Sequence, residues 1–385
     1  MTRKQERKRR LLEWVAIVTA GVAAAAWLGG IAGAAALTAA LWLGHRRMIL
    51  PPGVAVLTYH SVARDPAWLP WGYEIAVAPE TLARQLDTLA TMGCTVLGTR
   101  DYLARRAAGT AMPDKAVLLH FDDGYLDNWL EAIPALRQRR MPATFFASLD
   151  FVEPGETLRR EVEPSGYMNW AELRAVEADP LFEVEPHGVD HGRIPLSDRS
   201  SGTLTVANWR QHAWLQWAAT EGPKYDWHRF ATPIAVPLGS PVPVSGLALA
   251  SVGWRETPAD LEARITHHLQ LCRGAFELRL ARAPQVFCWP ENAAVAQGRR
   301  IAAALGYLAT TGGRQRNTAD EPAEIISRIH MGDRALGFRW LAAEGFHVRA
   351  ATRLAQGNLY WYLAVGPMNW TRALVTAARR RIGRA

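Results

Sequence analysis

An apolar run that stops at two adjacent carboxylates constrains this chain more than any other segment. Val117-Leu118-Leu119-His120-Phe121-Asp122-Asp123-Gly124-Tyr125 reads as a buried strand with a sharp exit at Gly124, which puts both acids at its carboxyl end. Open α/β sheets and barrels keep their chemistry at that edge. Adjacent side chains on an extended strand point to opposite faces. At a strand exit both can turn toward one cleft, where one carboxylate binds a metal while the other takes a proton. Taken alone, Asp122 and Asp123 read as well as the cap of a helix beginning near Tyr125, because Asp-Gly also marks turns and helix starts.

A second cluster follows the alternating, strand-like run Phe182-Glu183-Val184-Glu185. In Glu185-Pro186-His187-Gly188-Val189-Asp190-His191 two histidines stand four apart, a spacing expected to put them on one face of a helical turn and within reach of a single ion. One Asp and two His make a facial set with open positions, suited to a metal-bound water.

His120-Phe121-Asp122-Asp123-Gly124-Tyr125, Met141-Pro142-Ala143-Thr144-Phe145-Phe146, and His187 with His191 together resemble the polysaccharide deacetylases of carbohydrate esterase family four. Leu57-Thr58-Tyr59-His60, the helix from Thr81 to Leu89 before Gly93, and Tyr167-Met168-Asn169-Trp170 extend the resemblance from about Val54 to about Gly332, with an insertion. The resemblance implies hydrolysis of an acetyl group assisted by a divalent metal, zinc in the first place, with cobalt and nickel as alternatives. It gives the metal to Asp123, His187 and His191, the role of base to Asp122, and that of acid to a late histidine, His330. Substrate contacts are expected from His60, Tyr125, Trp289 and Pro290. Spacing alone does not say which Asp is ligand and which is base. Relatives continue with Gly near the proline, whereas this chain has Glu291-Asn292. His330 reads equally as a surface residue, and Arg328 either orients an acid or pairs with a surface carboxylate.

Strand and helix patterns alternate along the chain. Val54–His60, Cys94–Leu97, Ala143–Ser148, Gln285–Cys288 and Ile325–His330 read as strands; Thr81–Thr91, Asn128–Arg140, Tyr167–Glu177, Pro258–Leu280 and Arg299–Gly306 read as helices. This predicts an α/β fold, a (β/α) barrel that is distorted or incomplete, over residues 54–350. Residues 195–257, with Trp209, Trp214, Trp217, Trp227 and a proline-rich run from Pro233 to Pro243, read as an insertion over one rim. Trp214 and Trp217 have helical spacing, so packing onto the barrel is the first reading and stacking on sugar rings the second.

With 49% hydrophobic residues in a chain of 385, one full core is affordable. The net charge of +8 is carried by the tails, Arg3, Lys4, Arg7, Lys8, Arg9 and Arg10 at one end and Arg372, Arg379, Arg380, Arg381 and Arg384 at the other. A nucleic-acid groove is therefore not expected. From Trp14 to Gly44 no residue is charged, and the run is expected to cross the inner membrane once as a tilted helix, residues 14–44 being the anchor. Residues 1–13 would be a basic cytoplasmic tail, 45–53 a linker, and 351–385 an amphipathic, basic extension suited to lipid or to packing. A single crossing puts the catalytic domain on the periplasmic side; a cleaved signal peptide is the rival reading. Cys94, Cys272 and Cys288 are read as free thiols. The expected function is N-deacetylation of an envelope or exported polymer of the poly-N-acetylhexosamine type. Expected partners are that acetylated polysaccharide, the inner membrane and exopolysaccharide synthesis or export machinery. An O-acetyl esterase and a catalytically degenerate carbohydrate-binding or assembly protein are the alternatives.

Overall fold

The computed structural model describes residues 3–381, with backbone alone for Arg3, Lys4, Arg380 and Arg381; Arg384 of the basic tail lies outside the described residues. The uncharged run is not one helix. It breaks at Gly29 and Gly30, whose φ values of 61° and 48° are left-handed and cannot continue a right-handed helix. Two helices result, α1 (Arg3–Leu28) and α2 (Gly30–Met48), folded against each other as a hairpin. The expected single span over 14–44 is corrected accordingly, although α1 is by itself long and apolar enough to cross a membrane.

From Ala55 onward strands alternate with helices. β1 (Ala55–Tyr59) is followed by the short α3 (Gly72–Ile75), then α4 (Pro79–Thr91), β2 (Val96–Leu97), α5 (Thr99–Ala107) and β3 (Val117–Phe121). A π-helical turn, Asn128–Ala132, leads into α6 (Ile133–Gln138), β4 (Ala143–Ala147), α7 (Trp170–Ala178) and β5 (Phe182–Pro186). Asn169 caps α7 by accepting from the Glu172 N–H while Glu172 accepts from the Asn169 N–H. The insertion comprises β6 (Arg193–Thr203), α8 (Trp214–Ala218) and β7 (Pro241–Leu247). Then come α9 (Pro258–Leu280), β8 (Val286–Phe287), α10 (Ala296–Ala304), β9 (Ala309–Gly313), β10 (Ile325–Ser327) and β11 (Ile329–His330), and finally α11 (Leu341–Ala355) and α12 (Tyr362–Arg381).

The strands form a six-stranded sheet ordered β11-β1-β3-β4-β5, with β2 beside β3, and a three-stranded sheet ordered β10-β9-β8. Pairing in both is parallel, with Ala55 opposite Val117 and Tyr59 opposite Phe121. β1, β3, β4 and β5 are buried along their whole length, as parallel strands covered on both faces must be. Leu57, Tyr59, Leu119, Phe121 and Phe145 pack under the helices with Leu82, Leu86 and Leu89 of α4, whereas Val56, Leu118 and Phe146 meet Val286, Cys288 and Ile326 of the second sheet. The ladders do not close into a barrel. They are interrupted at Arg328, between β10 and β11, and between β5 and β8, which the Cys288 N–H bridges by donating to the Pro186 carbonyl at 3.0 Å. Glu185 reinforces that junction by accepting from the N–H groups of Gln285 (2.8 Å) and Val286 (3.1 Å).

A second buried acid, Glu344 of α11, accepts from the Ala335 N–H at 2.8 Å, but its other oxygen has no partner. Burial pushes its carboxyl up to about 7. The folded protein therefore holds a proton there that the unfolded chain releases near 4.5. Stability falls as pH rises between these values, and the cost above pH 7 is about 3 kcal/mol. Glu344→Gln is expected to raise the Tm at pH 8 and to flatten the stability profile from pH 5 to 7 in thermal melts; an unchanged slope would contradict this origin.

Candidate active site at the strand ends

β3 delivers the two acids. The Asp122 N–H donates to the Tyr59 carbonyl at 2.9 Å, prolonging the β1 pairing by one residue, and then the chain turns through two left-handed residues, Asp123 (φ 75°) and Gly124 (φ 73°). A side chain at Gly124 would come within 3.1 Å of Ala147, so the position demands glycine on both counts. At Asp123 the left-handed backbone is a local cost held in place by the surrounding strands. It turns both carboxylates into one cleft.

His187 and His191 do not share a helical turn, as their spacing suggested. They occupy the loop after β5, where Gly188 (φ 86°) reverses the backbone and brings the rings to 4.8 Å between centroids. Asp123 Oδ1 lies 3.2 Å from His187 Nε2 and 2.9 Å from His191 Nε2, and the ligand atoms of the three residues all lie within 4.8 Å of one another. Ligands at about 2 Å from a common ion stand at such separations. Two of the atoms, Asp123 Oδ1 and His191 Nε2, are buried with no hydrogen-bond partner. The His187 Nδ1–H donates to the Cys288 carbonyl at 3.0 Å, which fixes the tautomer and leaves the Nε2 lone pair facing the carboxylate. Two imidazole nitrogens and one carboxylate oxygen, converging in a pocket, fit a divalent ion of the zinc type.

Asp122 is placed differently. Arg328 Nη1 donates to it at 2.6 Å, both side chains being 2% exposed, and Arg328 Nε donates to Asn292 Oδ1 at 2.9 Å. Burial alone would raise the Asp122 pKa, but the guanidinium outweighs it and, with His187 and His60, brings the carboxyl down to about 2. The group is thus ionised throughout the physiological range. The Cys288 thiol lies 3.8 Å from both Asp122 oxygens. Asp122, His187 and Cys288 form another set of close ligand atoms, but here the carboxylate is already occupied by Arg328.

Asp122, Asp123, His187, His191, Arg328 and Asn292 line a cleft of about 420 Å³. His60 Nε2 is 3.9 Å from Asp122 Oδ2, and burial lowers its pKa against the pull of Asp122 and Asp123. His330 stands beside it, ring centroids 5.1 Å apart, with its Nε2 donating to the Glu74 carbonyl at 3.2 Å. Tyr125 also lines the cleft. Trp289 and Pro290 do not: both are buried, Trp289 packing on Phe287 and Gly298, and the residues after them, Glu291 and Asn292, face the cleft instead. The expected substrate contacts at Trp289 and Pro290 are corrected on that ground. Arg328 proves to pair with a buried carboxylate of the cleft and not with a surface one.

The remaining wall is aromatic. Trp71 and Phe151 join Trp214 and Trp217 of the insertion along the cleft. Behind them Trp227 donates from Nε1 to the Tyr167 hydroxyl at 3.0 Å and stacks on Trp71, while Tyr167 stacks on Tyr125. The tryptophans of the insertion are mainly core, Trp209, Trp214, Trp217 and Trp227 all being buried. No local pattern announced Trp71, Glu74 or Cys288 as neighbours of the acids; only Asn292 stood in a segment already marked by its departure from the family's proline loop.

Residues 109–235 match the polysaccharide deacetylase family model, a span that contains Asp122, Asp123, His187 and His191. A putative polysaccharide deacetylase of Bacillus subtilis (strain 168), YxkH, is 23% identical over 141 residues, 37% of this chain and 44% of its own length. The chain therefore spans less than half of that relative. Among solved structures, a de-N-acetylase from Aggregatibacter actinomycetemcomitans superposes with a TM-score of 0.52 at 17% identity, over 72% of this chain and 94% of that one. The BpsB deacetylase domain from Bordetella bronchiseptica does so with a TM-score of 0.51 at 18% identity, over 73% and 97%. Both similarities are of fold. Over residues 109–235, which carry Asp122, Asp123, His187 and His191 of the cleft, the chain is similar to the polysaccharide deacetylase family.

Proposed function

We propose that this protein is a metal-dependent deacetylase that removes N-acetyl groups from a polymer of N-acetylhexosamine destined for the cell envelope or for export. The observation that carries the reading is the convergence of Asp123, His187 and His191, with buried unpartnered donor atoms, beside an ionised Asp122 held by Arg328. A divalent ion bound by the three residues would supply a Lewis acid and lower the pKa of water. Asp122 accepts the proton of the attacking water, and Arg328 keeps that carboxylate oriented and charged. His60, whose Nε2 lies 3.9 Å from Asp122 Oδ2, passes the proton taken up by Asp122 on to the departing amine; His330, tied to the Glu74 carbonyl, flanks it. The aromatic wall suits the apolar face of pyranose rings, and polar Glu291, Asn292 and Gln211 on the rim suit their hydroxyls.

Released acetate from β-linked N-acetylglucosamine oligomers tests this, with zinc or cobalt supplied. Asp122→Asn is expected to lose about a thousandfold or more of kcat, and His60→Ala to lose more than His330→Ala. Wild type that binds metal yet releases acetate only from O-acetylated glycans would make the protein an esterase. Release from neither class would leave a carbohydrate-binding protein on this fold.

A further inference from the structure

The amino-terminal hairpin has short apolar limbs. Trp14–Leu28 and Gly30–Gly44 each run about 22 Å at 1.5 Å per residue, against a hydrocarbon core of about 30 Å. The limbs touch closely: a side chain on Gly21 would run into Ala40, one on Gly33 would come within 2.6 Å of the Ala25 carbonyl oxygen, and one on Gly44 within 3.0 Å of Trp14. The outer surface is apolar and uncovered, with Trp27 86% and Ile31 90% exposed at the tip. Every charge of the segment sits at the open end. Arg10 reaches the Arg47 carbonyl there at 3.5 Å, and Arg9 and Arg47 flank Glu13.

That open end is built into the catalytic domain. Trp14 packs edge-on against Tyr360 at 6.0 Å, His45 stacks on the same ring, and Met48 is buried among Leu354, Leu359 and Val365. From this junction α12 runs to the cleft. Near its far end Arg379 donates to the Tyr73 hydroxyl at 2.7 Å, and the next residue, Glu74, lines the cleft. Along α12, Leu363, Pro367, Trp370 and Leu374 fall on one exposed face, opposite the side from which Arg379 reaches Tyr73.

We infer that the hairpin is a re-entrant anchor: it dips into the bilayer and returns, so the amino terminus and the catalytic domain share one side, with the apolar face of α12 lying on the same leaflet. The basic residues decide the side. Arg7, Lys8, Arg9, Arg10, Arg46 and Arg47 are all at the domain end, and none is at the tip, so the positive-inside bias places the domain on the cytoplasmic face, where anionic lipid headgroups match the arginines. Resting on the deacetylase reading above, this makes the substrate a glycan carried on a membrane lipid, met before export. The cleft opens one helix away from the lipid surface that holds it.

The test uses the full chain in cells and in vesicles. Reporters fused before Met1 and after Ala385, a fluorescent protein that matures only in the cytoplasm and a phosphatase that is active only outside it, are expected to report cytoplasm at both ends. Ends on opposite sides, both ends outside, or a mature protein lacking the hairpin would overturn the anchor without touching the chemistry. On membranes washed at high pH, Trp27→Glu with Ile31→Glu is expected to raise the soluble fraction about tenfold or more. In phosphatidylglycerol-containing vesicles the same variant should lose its preference for lipid-carried over free oligosaccharide, while its rate on the free oligosaccharide stays that of wild type. An equal preference in wild type and variant would refute the lipid-borne substrate, and no acetate release by wild type from either substrate would instead mark a failure of the deacetylase reading.

Discussion

Arg328→Ala is expected to silence the site and destabilise the fold together. The guanidinium and Asp122 are both almost fully buried and paired at 2.6 Å, so removing one leaves a charge in the core without its partner. Such a loss costs about 3–5 kcal/mol, and acetate release should fall about a hundredfold or more because Asp122 is no longer held as an oriented anion. Arg328→Lys keeps the charge but cannot reach Asp122 and Asn292 at once, and is expected to fall between the two. A compensated pair, Arg328→Met with Asp122→Leu, separates the two consequences. It should regain most of the stability in urea melts and none of the activity. An Arg328→Ala protein of normal kcat would show that Asp122 works without this partner, and the assignment of Arg328 as a positioning residue would fall.

The second large effect concerns the ion. Asp123 Oδ1 and His191 Nε2 are buried 2.9 Å apart and neither makes a hydrogen bond, so an ion that satisfies them would bind the folded chain and not the unfolded one. Zinc at a hundred times its Kd should add about 2.7 kcal/mol of stability, read as a rise of a few degrees in Tm. His187→Ala and His191→Ala are each expected to abolish that rise and to cut acetate release about a thousandfold, with bound metal falling from about one ion per chain to near none. Chelation of wild type should copy the activity loss, and added zinc should reverse it. A wild-type Tm that zinc does not move would remove the metal from the account, whatever the activity of the variants.

The parts of this molecule that could be read from the chain are those whose physics is local. A buried strand must be apolar, must end, and here ends in two acids before a glycine, so β3 and its carboxylates were legible in a dozen residues. The helix carrying the apolar stripe of α4 was legible for the same reason. The four-residue spacing of His187 and His191 gave the right neighbours by way of the wrong element, because a loop turned by Gly188 brings the rings together as a helical turn would. Arg328 and Asp122 lie 206 residues apart and meet only because β11 pairs with β1, a register that no local pattern encodes. The burial of Trp289 depends likewise on how the second sheet faces the first. In the amino-terminal run composition reported apolarity but not direction. Adjacent glycines at 29 and 30 were visible, yet glycine is common in membrane helices, and only the packing of Gly21, Gly33 and Gly44 discloses the reversal.

The aromatic wall binds two histories together. Trp217 and Trp227 come from the insertion, but they press on Phe151, Tyr167 and Trp71, and through Tyr167 on Tyr125, two residues beyond Asp123. A lineage that reshaped this insertion to suit a new polymer would thereby disturb the turn that aims its own carboxylates. Diversification of ligand preference in such proteins is therefore steered toward the open rim, around Gln211 and Glu291, where side chains can drift without pulling on the strand ends.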